Sequence, residues 1–393
     1  MMFKKSSRSP VIQPVVRDRI ADIQQDLKFS GDLFLSTAYL QTLEKAAPGG
    51  MMFRYLILNQ EDTPSFYYFQ VIDLSSIEIG QIINKQPFSG IVKAACDLLQ
   101  GLVFGSSKGK PGYLLICGNM CLSGPYGISC SDPEASSEHL FEAIEHCVRN
   151  LNKTGKVVAT IIKDFPEDND PYSPGIRHHR YNRLIMDPVM KMEIKPDWKS
   201  MEDYLAALSS KYRQRYQQAR KRIADLQIKD MSTEEMVSNS ERINQLYSAV
   251  QDKSPVRLVN PDAGYLIGLK KNLGSKVRFR GIYHGELLVG FMTGINAGNY
   301  YEAHHIGLDY QYNKTHALYL NILYCYIEMA IESGAGMLSF GRTALEMKTT
   351  VGAIPVPHNA WIKLNNGMLN SLAKYMLPEK AADDWIPRNP FKS

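Results

Sequence analysis

No stretch of the chain approaches the roughly 20 consecutive apolar residues that a membrane-spanning helix needs. The basic start, Met1 to Ser9, is not followed by the apolar segment of a secretory signal. These absences predict a cytoplasmic protein. The six cysteines, Cys96, Cys117, Cys121, Cys130, Cys147 and Cys325, show no CxxC spacing and no neighbouring histidine pattern, which excludes a zinc cage or disulfide framework. Buried thiols in a reducing compartment are expected. Gly105 to Lys110 looks like a phosphate loop, but no glycine lies five positions before Gly109 and Pro111 stands where a hydroxyl residue is required. A P-loop nucleotidase is excluded. A formal net charge of +5 is too mild to indicate DNA.

What the chain does have is an ordinary soluble composition, 44% apolar and 22% charged over 393 residues, enough for two domains or a duplicated one. Residues 1–30 read as a leader, with Arg17 to Leu27 as a candidate helix. Ser36 is placed to cap a helix running to about Ala46, where Pro48-Gly49-Gly50 stops it. A hairpin follows over Met51 to Leu58 and Ser65 to Ile72. A helix is expected around Ile91 to Leu102, then a strand at Tyr113 to Cys117, a glycine-rich bend to Gly127, a helix over Ser137 to Leu151 and a strand over Lys156 to Ile162. Pro166 to Pro174 reads as a loop able to cover a cleft. Tyr181 to Ile194 is strand-like with a break at Asp187-Pro188.

Ser200 with Asp203 three residues later has the form of a capping box and starts a long basic helix carrying Lys211, Arg213, Arg215, Arg220, Lys221 and Arg222. Its apolar stripe, Tyr212, Tyr216, Ala219 and Ile223, predicts packing by one side only. Gly281 to Tyr283 and Leu287 to Met292 form a second hairpin, Tyr300 to Leu308 a third strand, Ala317 to Ile331 a helix, and Met337 to Phe340 a short strand released by Gly341. The order helix, hairpin, strand, bend, helix, strand therefore occurs twice, over 36–163 and about 201–341. Only the pattern repeats; the letters do not.

This order resembles the GNAT acyltransferase fold. The ending Phe340-Gly341 with Lys348 and Val351-Gly352, together with the Lys211 to Ile223 helix, is similar to the Fem-type branch of peptidoglycan-bridge aminoacyltransferases and related N-acyltransferases. The resemblance implies an α/β (α+β) fold in which two GNAT-like lobes stand in tandem, each a mixed, mostly antiparallel sheet flanked by helices. The lobes are expected at 31–195 and 196–370, the second catalytic, with a tail at 371–393. Trp385 to Phe391 in that tail either packs on the second lobe or dips into a membrane surface.

Acyl transfer to an amine needs a held donor, an acceptor for the ammonium proton and dipoles for the oxyanion. Alternation along Tyr300 to Leu308 puts Glu302 and His304 on one face and His305 and Asp309 on the other. Glu302 and His304 are the first candidates for the base, with His305 in reserve; the competing reading is a polar network inside the core. Asn313, Lys314 and Thr315 sit where the GNAT pyrophosphate loop enters the next helix, although the usual Gln/Arg-x-x-Gly-x-Gly/Ala pattern is missing and Thr315 also suits a helix N-cap. Arg342 and Lys348 suit a phosphate or carboxylate of donor or acceptor, or an ion pair with Glu346. Arg213 and Arg215 face solvent, an RNA acceptor stem or a lipid phosphate. The resemblance thus implies an N-acyltransferase with no permanent cofactor, taking acyl-CoA or an acyl carrier protein as cosubstrate and an amine as acceptor. Direct attack is favoured because no cysteine has an evident base partner. An amino-lipid of the sphingoid kind, with peripheral contact at the inner membrane face, is the favoured acceptor. Aminoacyl transfer from tRNA to a peptidoglycan precursor and a non-catalytic binding protein are the alternatives.

Overall fold

The computed structural model describes residues 15–23, 31–58, 65–74, 110–130, 133–168, 170, 172–253, 259, 261–377 and 385–392. The helix expected at Ile91 to Leu102 and the loop Gly105 to Gly109 lie outside the described residues. Two sheets carry the architecture. The first uses β1 (Val15–Arg17), β2 (Met52–Leu58), β3 (Ser65–Asp73), β4 (Gly112–Cys117), β5 (Ile128–Ser129), β6 (Lys156–Pro166) and β7 (Asn182–Ile185). The second uses β8 (Val189–Glu193), β9 (Gln227–Asp230), β10 (Val277–His284), β11 (Leu287–Asn296), β12 (Tyr300–Leu308), β13 (Met337–Ser339) and β14 (Ile354–Val356). The chain then crosses back. β15 (His358–Leu364) inserts between β6 and β7 of the first sheet, antiparallel to both.

Each sheet is antiparallel except for one parallel pair, β4 with β6 and β12 with β13. A parallel pair needs a crossover helix. Pro133–Leu151 supplies it in the first lobe and Leu318–Ser333 in the second. The latter is apolar nearly all round because the sheet covers one side and the basic helix Ser210–Lys221 the other. Its wholly buried Ile322 and Ile327 contribute about 1.5–3 kcal/mol each.

The lobes share a core. Helix Thr37–Ala46 packs on helix Ala263–Leu273, and Tyr39, Tyr265, Phe279 and Phe291 belong to one continuous apolar cluster. The start of Thr37–Ala46 is capped by Ser36 Oγ, which accepts from Tyr39 N, as its spacing predicts.

Several expectations require correction. Val15–Arg17 pairs with β2 as a strand, and a 3-10 turn at Ile20–Ile23 replaces the helix expected for the leader. The boundary at 195/196 does not separate the sheets: β8 lies in the second and β15 in the first. The basic helix is not continuous with the capping box at Ser200. It breaks into Met201–Ala207 and Ser210–Lys221 because Leu208 turns extended to pair with Phe391. The C-terminal tail is therefore a packing element, its Phe391 ring 5.9 Å from Trp198 and 6.3 Å from Tyr204. Cys117, Cys147 and Cys325 are buried as expected, but Cys121 and Cys130 are partly exposed.

Candidate active site

The parallel pairing of β12 with β13 lasts only three residues, Tyr300 to Glu302 against Met337 to Ser339. Beyond it, no strand among the described residues pairs with Ala303 to Leu308 on that side. The corresponding pair in the first sheet stays closed over all of β4, from Gly112 to Cys117. Among the described residues, the second sheet opens a wedge beside β12. The wedge leads into a cleft of about 1470 Å³, floored by Ala303, Ile306 and Leu323 and walled by Tyr212, Phe340 and Leu345. It exceeds the roughly 300–1,000 Å³ of an ordinary ligand pocket, leaving room for two substrates.

Strict alternation fails along β12. Ile306 is opposite Met292 while Ala303 is opposite Gly294, so one extra residue is accommodated at His304-His305. This β-bulge brings both rings to the same side, where alternation had separated them. The ring centroids are 4.0 Å apart and both histidines line the cleft. His304 Nε2 lies 3.0 Å from Tyr265 Oη, and His305 Nδ1 lies 3.4 Å from Tyr247 Oη. His304 Nδ1 and His305 Nε2 are shielded from solvent and have no partner among the described residues. Burial pushes both imidazoles down, with the neighbouring His305 adding to the effect on His304, and His305 falls to about 4. Both rings are neutral at physiological pH.

Glu302, the other candidate base, does not share that position. It is 3% exposed at the last paired residue of the wedge, against Ser339 and Tyr300, and it is not among the cleft-lining residues. Burial pushes its carboxyl up to about 8, against the hydrogen bond from Ser339 and the pull of Lys191 and Lys348. Glu302 is therefore mostly protonated at neutral pH.

Lys348 is buried at the cleft edge and donates to three carbonyls, Phe340 O at 2.6 Å, Arg342 O at 2.7 Å and Gly341 O at 3.2 Å. Burial pushes it down to about 7. Three acceptors require three N–H groups, which only the ammonium has, so the charged form is the one that satisfies this turn. Lys348 is thus the peg of the turn that bounds the wedge.

Arg342 is turned away from the cleft into the seam between the lobes. It makes a two-pronged contact with Asp164, Nη2 to Oδ1 at 2.7 Å and Nη1 to Oδ2 at 3.2 Å, and donates Nε–H to Asp187 O. Asp164 is fully buried and also pairs with Lys163 at 2.7 Å. Against the upward push of burial, the Lys163 ammonium and Arg342 guanidinium hold its carboxyl well below the usual carboxylate range. Lys163 in turn donates to Asn119 O and Leu122 O in the glycine-rich bend. Gly118, at φ 136°, leaves the space for its stem, since a Cβ there would lie 2.4 Å from Lys163 Cγ. The pairing expected between Arg342 or Lys348 and Glu346 is made by Arg388 instead, at 2.7 Å.

Around the start of helix Leu318–Ser333 the expected loop is a short helix, Tyr310–His316. Thr315 sits inside it, its hydroxyl donating to Gln311 O or Tyr312 O, and so caps nothing. Asn313 does that work: its Oδ1 accepts from Tyr319 N at 2.8 Å. Lys314 is exposed. Arg213 folds back onto Leu208 O and Ser210 Oγ, whereas Arg215 lines the cleft with Nη2 3.2 Å from Met347 Sδ. Lys211, Arg215, Arg222, Lys253 and Arg388 give the cleft walls a positive balance over Asp187 and Glu346. Tyr265, Tyr247 and Lys163 carry no sequence signal; their partners lie 39, 58 and 44 residues away.

The depressed histidines set a pH dependence. Between the folded value of about 4 for His305 and the ordinary 6.5, the unfolded chain binds the protons that the folded chain refuses. The histidine contribution to stability is therefore expected to be level above pH 6.5 and to fall on acidification, by up to about 1.4 kcal/mol per pH unit for a histidine held neutral, with Glu302, protonated in the folded chain up to about 8, acting in the opposite direction. Thermal melts from pH 7.5 to 4.5 check this. The double variant His304→Gln, His305→Gln should flatten the decline.

No family model matches the chain, and no curated protein matches it in sequence. Among solved structures, FemX aligns over 92% of this chain and 100% of its own, with a TM-score of 0.53 and 11% identity. A tandem GNAT protein from the clavulanic acid biosynthesis pathway, in its form without AcCoA, aligns over 84% of this chain and 88% of its own, with a TM-score of 0.50 and 9% identity. At such identities the likeness is one of fold.

Proposed function

For a chain that folds as two GNAT lobes in the Fem-like arrangement, we propose N-acyl transfer from a thioester, acyl-CoA or an acylated carrier protein, to an amine in the second-lobe cleft. The observation that carries the reading is the wedge beside β12, where Ala303 to Leu308, paired to β11 on one edge and to no described strand on the other, meets two cleft-lining imidazoles with unpartnered nitrogens. A thioester laid along that edge takes the place of the missing strand. Its anionic end meets Arg222 and Lys253. The amine nitrogen attacks the carbonyl carbon, the ammonium proton is lost to solvent in the open cleft, the C–S bond breaks and the thiolate leaves. Direct attack is favoured because Cys325, which Arg220 of the basic helix reaches at 3.8 Å, is buried mid-helix and burial pushes its thiol up. The apolar floor and Trp385 suit a long-chain amino alcohol as acceptor. The cationic helix face with Lys211, Arg215 and Arg222 supports a second reading, an aminoacyl-tRNA donor.

Thiol release from a panel of acyl-CoA and acyl carrier protein donors, with and without long-chain amino alcohols, tests the proposal. Amine-dependent release is expected. The double variant Arg222→Glu, Lys253→Glu should raise KM for acyl-CoA about tenfold with kcat little changed, as loss of uniform binding requires. Retention of tRNA without thioester turnover would overturn the thioester reading in favour of the aminoacyl one.

A further inference from the structure

A chain of buried hydrogen bonds runs from the first lobe to His304, and its direction is determined. Cys121 N donates to Asn119 Oδ1 at 2.9 Å, so the amide is oriented with Nδ2 towards Tyr39, to whose Oη it donates at 3.1 Å. Gln70 is oriented likewise by Met120 N, which donates to its Oε1 at 2.8 Å, and its Nε2 lies 3.4 Å from the same Asn119 Oδ1. Tyr39 Oη is 3.2 Å from Tyr265 Oη, and Tyr265 Oη is 3.0 Å from His304 Nε2. Tyr39 accepts from Asn119, so its own O–H goes to Tyr265; Tyr265 accepts from Tyr39, so its O–H goes to His304. The reverse direction would leave the buried Tyr39 O–H without an acceptor and His304 Nδ1 without a donor, two unmet groups against the single Nδ1–H of this direction.

We infer that the first lobe fixes His304 in its Nδ1–H tautomer, so that Nδ1 presents a hydrogen-bond donor to the substrate and His304 is not the general base. The donor is preorganised. Nδ1 is shielded from water, has no partner among the described residues, and belongs to a ring lining the cleft. Such a donor suits a carbonyl oxygen that gains negative charge during attack by the amine. Burial raises Tyr39 and Tyr265 well above the ordinary phenol value and holds His304 neutral, so every link keeps its proton at working pH. The assignment of the oxyanion as the recipient rests on the acyltransferase reading; the tautomer does not.

The test has two arms on the full-length chain. In the first, the protein is labelled with 15N histidine and long-range proton–nitrogen spectra are recorded without ligand, the His304 signals being identified by their loss in His304→Gln. A protonated, pyrrole-type Nδ1 and a pyridine-type Nε2 are expected, and Tyr265→Phe and Tyr39→Phe should shift population towards Nε2–H. A protonated Nε2 in the unaltered protein overturns the inference. In the second arm, His304→Ala is expected to lower kcat for thioester turnover by about 10²–10³. His304→Asn, which keeps an N–H donor, should recover part of it, and the acid limb of the pH–rate profile should stay in place in both. Equal loss in both variants together with disappearance of the acid limb would make His304 the base. A Nδ1–H signal with no turnover of any thioester would sustain the donor assignment and overturn the acyltransferase reading.

Discussion

Asp164→Ala is expected to destabilise the protein by about 3–5 kcal/mol and to lower its melting temperature more than any single change in the cleft. The carboxylate is the only anion that the structure places between two buried or nearly buried cations, Lys163 and Arg342, among the described ion pairs. Removing it leaves both charges facing each other without water. It also strips Gly124 N, which donates to Oδ2 at 3.2 Å. Arg342→Met should be milder, because Asp164 keeps Lys163 and the methionine fills part of the volume. Denaturant melts of the two variants decide the point: equal losses would mean that the pair with Arg342, and not the uncompensated charge, dominates.

Lys348→Met is expected to cost about 3 kcal/mol or more and to abolish catalysis together with stability. Three carbonyls lose their common donor; Gly341 O keeps Met190 N at 3.0 Å, while Phe340 O and Arg342 O are left without it at about 1–3 kcal/mol each before relaxation. The turn they belong to carries Phe340, a wall of the cleft, and Arg342, a side of the seam. If Lys348 instead served to bind a ligand's phosphate, the variant would keep its melting temperature and show only a raised KM. Melting curves recorded beside thioester kinetics separate these outcomes. Lys348→Arg should not rescue, since a planar guanidinium cannot point three N–H groups at carbonyls disposed around one nitrogen.

Elements set by local chemistry were legible in the sequence. Ser36 and the Ser200–Asp203 box sit where the helices start, the hairpin over 281–292 turns at Gly285, and the apolar run from Leu318 forms the core helix. What was not legible depends on distant registers. The bulge at His304-His305 exists because β12 is one residue longer than β11 between their flanking pairs, which no period within 300–308 reveals. The break at Leu208 requires Phe391, and the positions of Arg342 and Lys348 require Asp164 and the turn carbonyls. Two cations that read as ligand-binding by spacing are held by the protein's own oxygens. Of the candidate base residues, His304 and His305 come together in the cleft while Glu302 is sealed beside it. The tyrosines that orient the imidazoles belong to helices whose packing faces the sequence describes only as apolar.

The crossing of β8 into the second sheet and of β15 into the first makes the two lobes inseparable by any single cut. A fragment ending near residue 195 would carry β8 with no sheet to join and would leave β6 and β7 apart, since the strand that bridges them arrives from residues 358–364. β8 to β14 follow one another from Val189 to Val356 between the two stretches that build the first sheet, so exchange of the second sheet between relatives of this architecture takes two cuts, one on either side of that stretch. Fragments divided near residue 195 should regain structure only when both are present, each lending the other a strand.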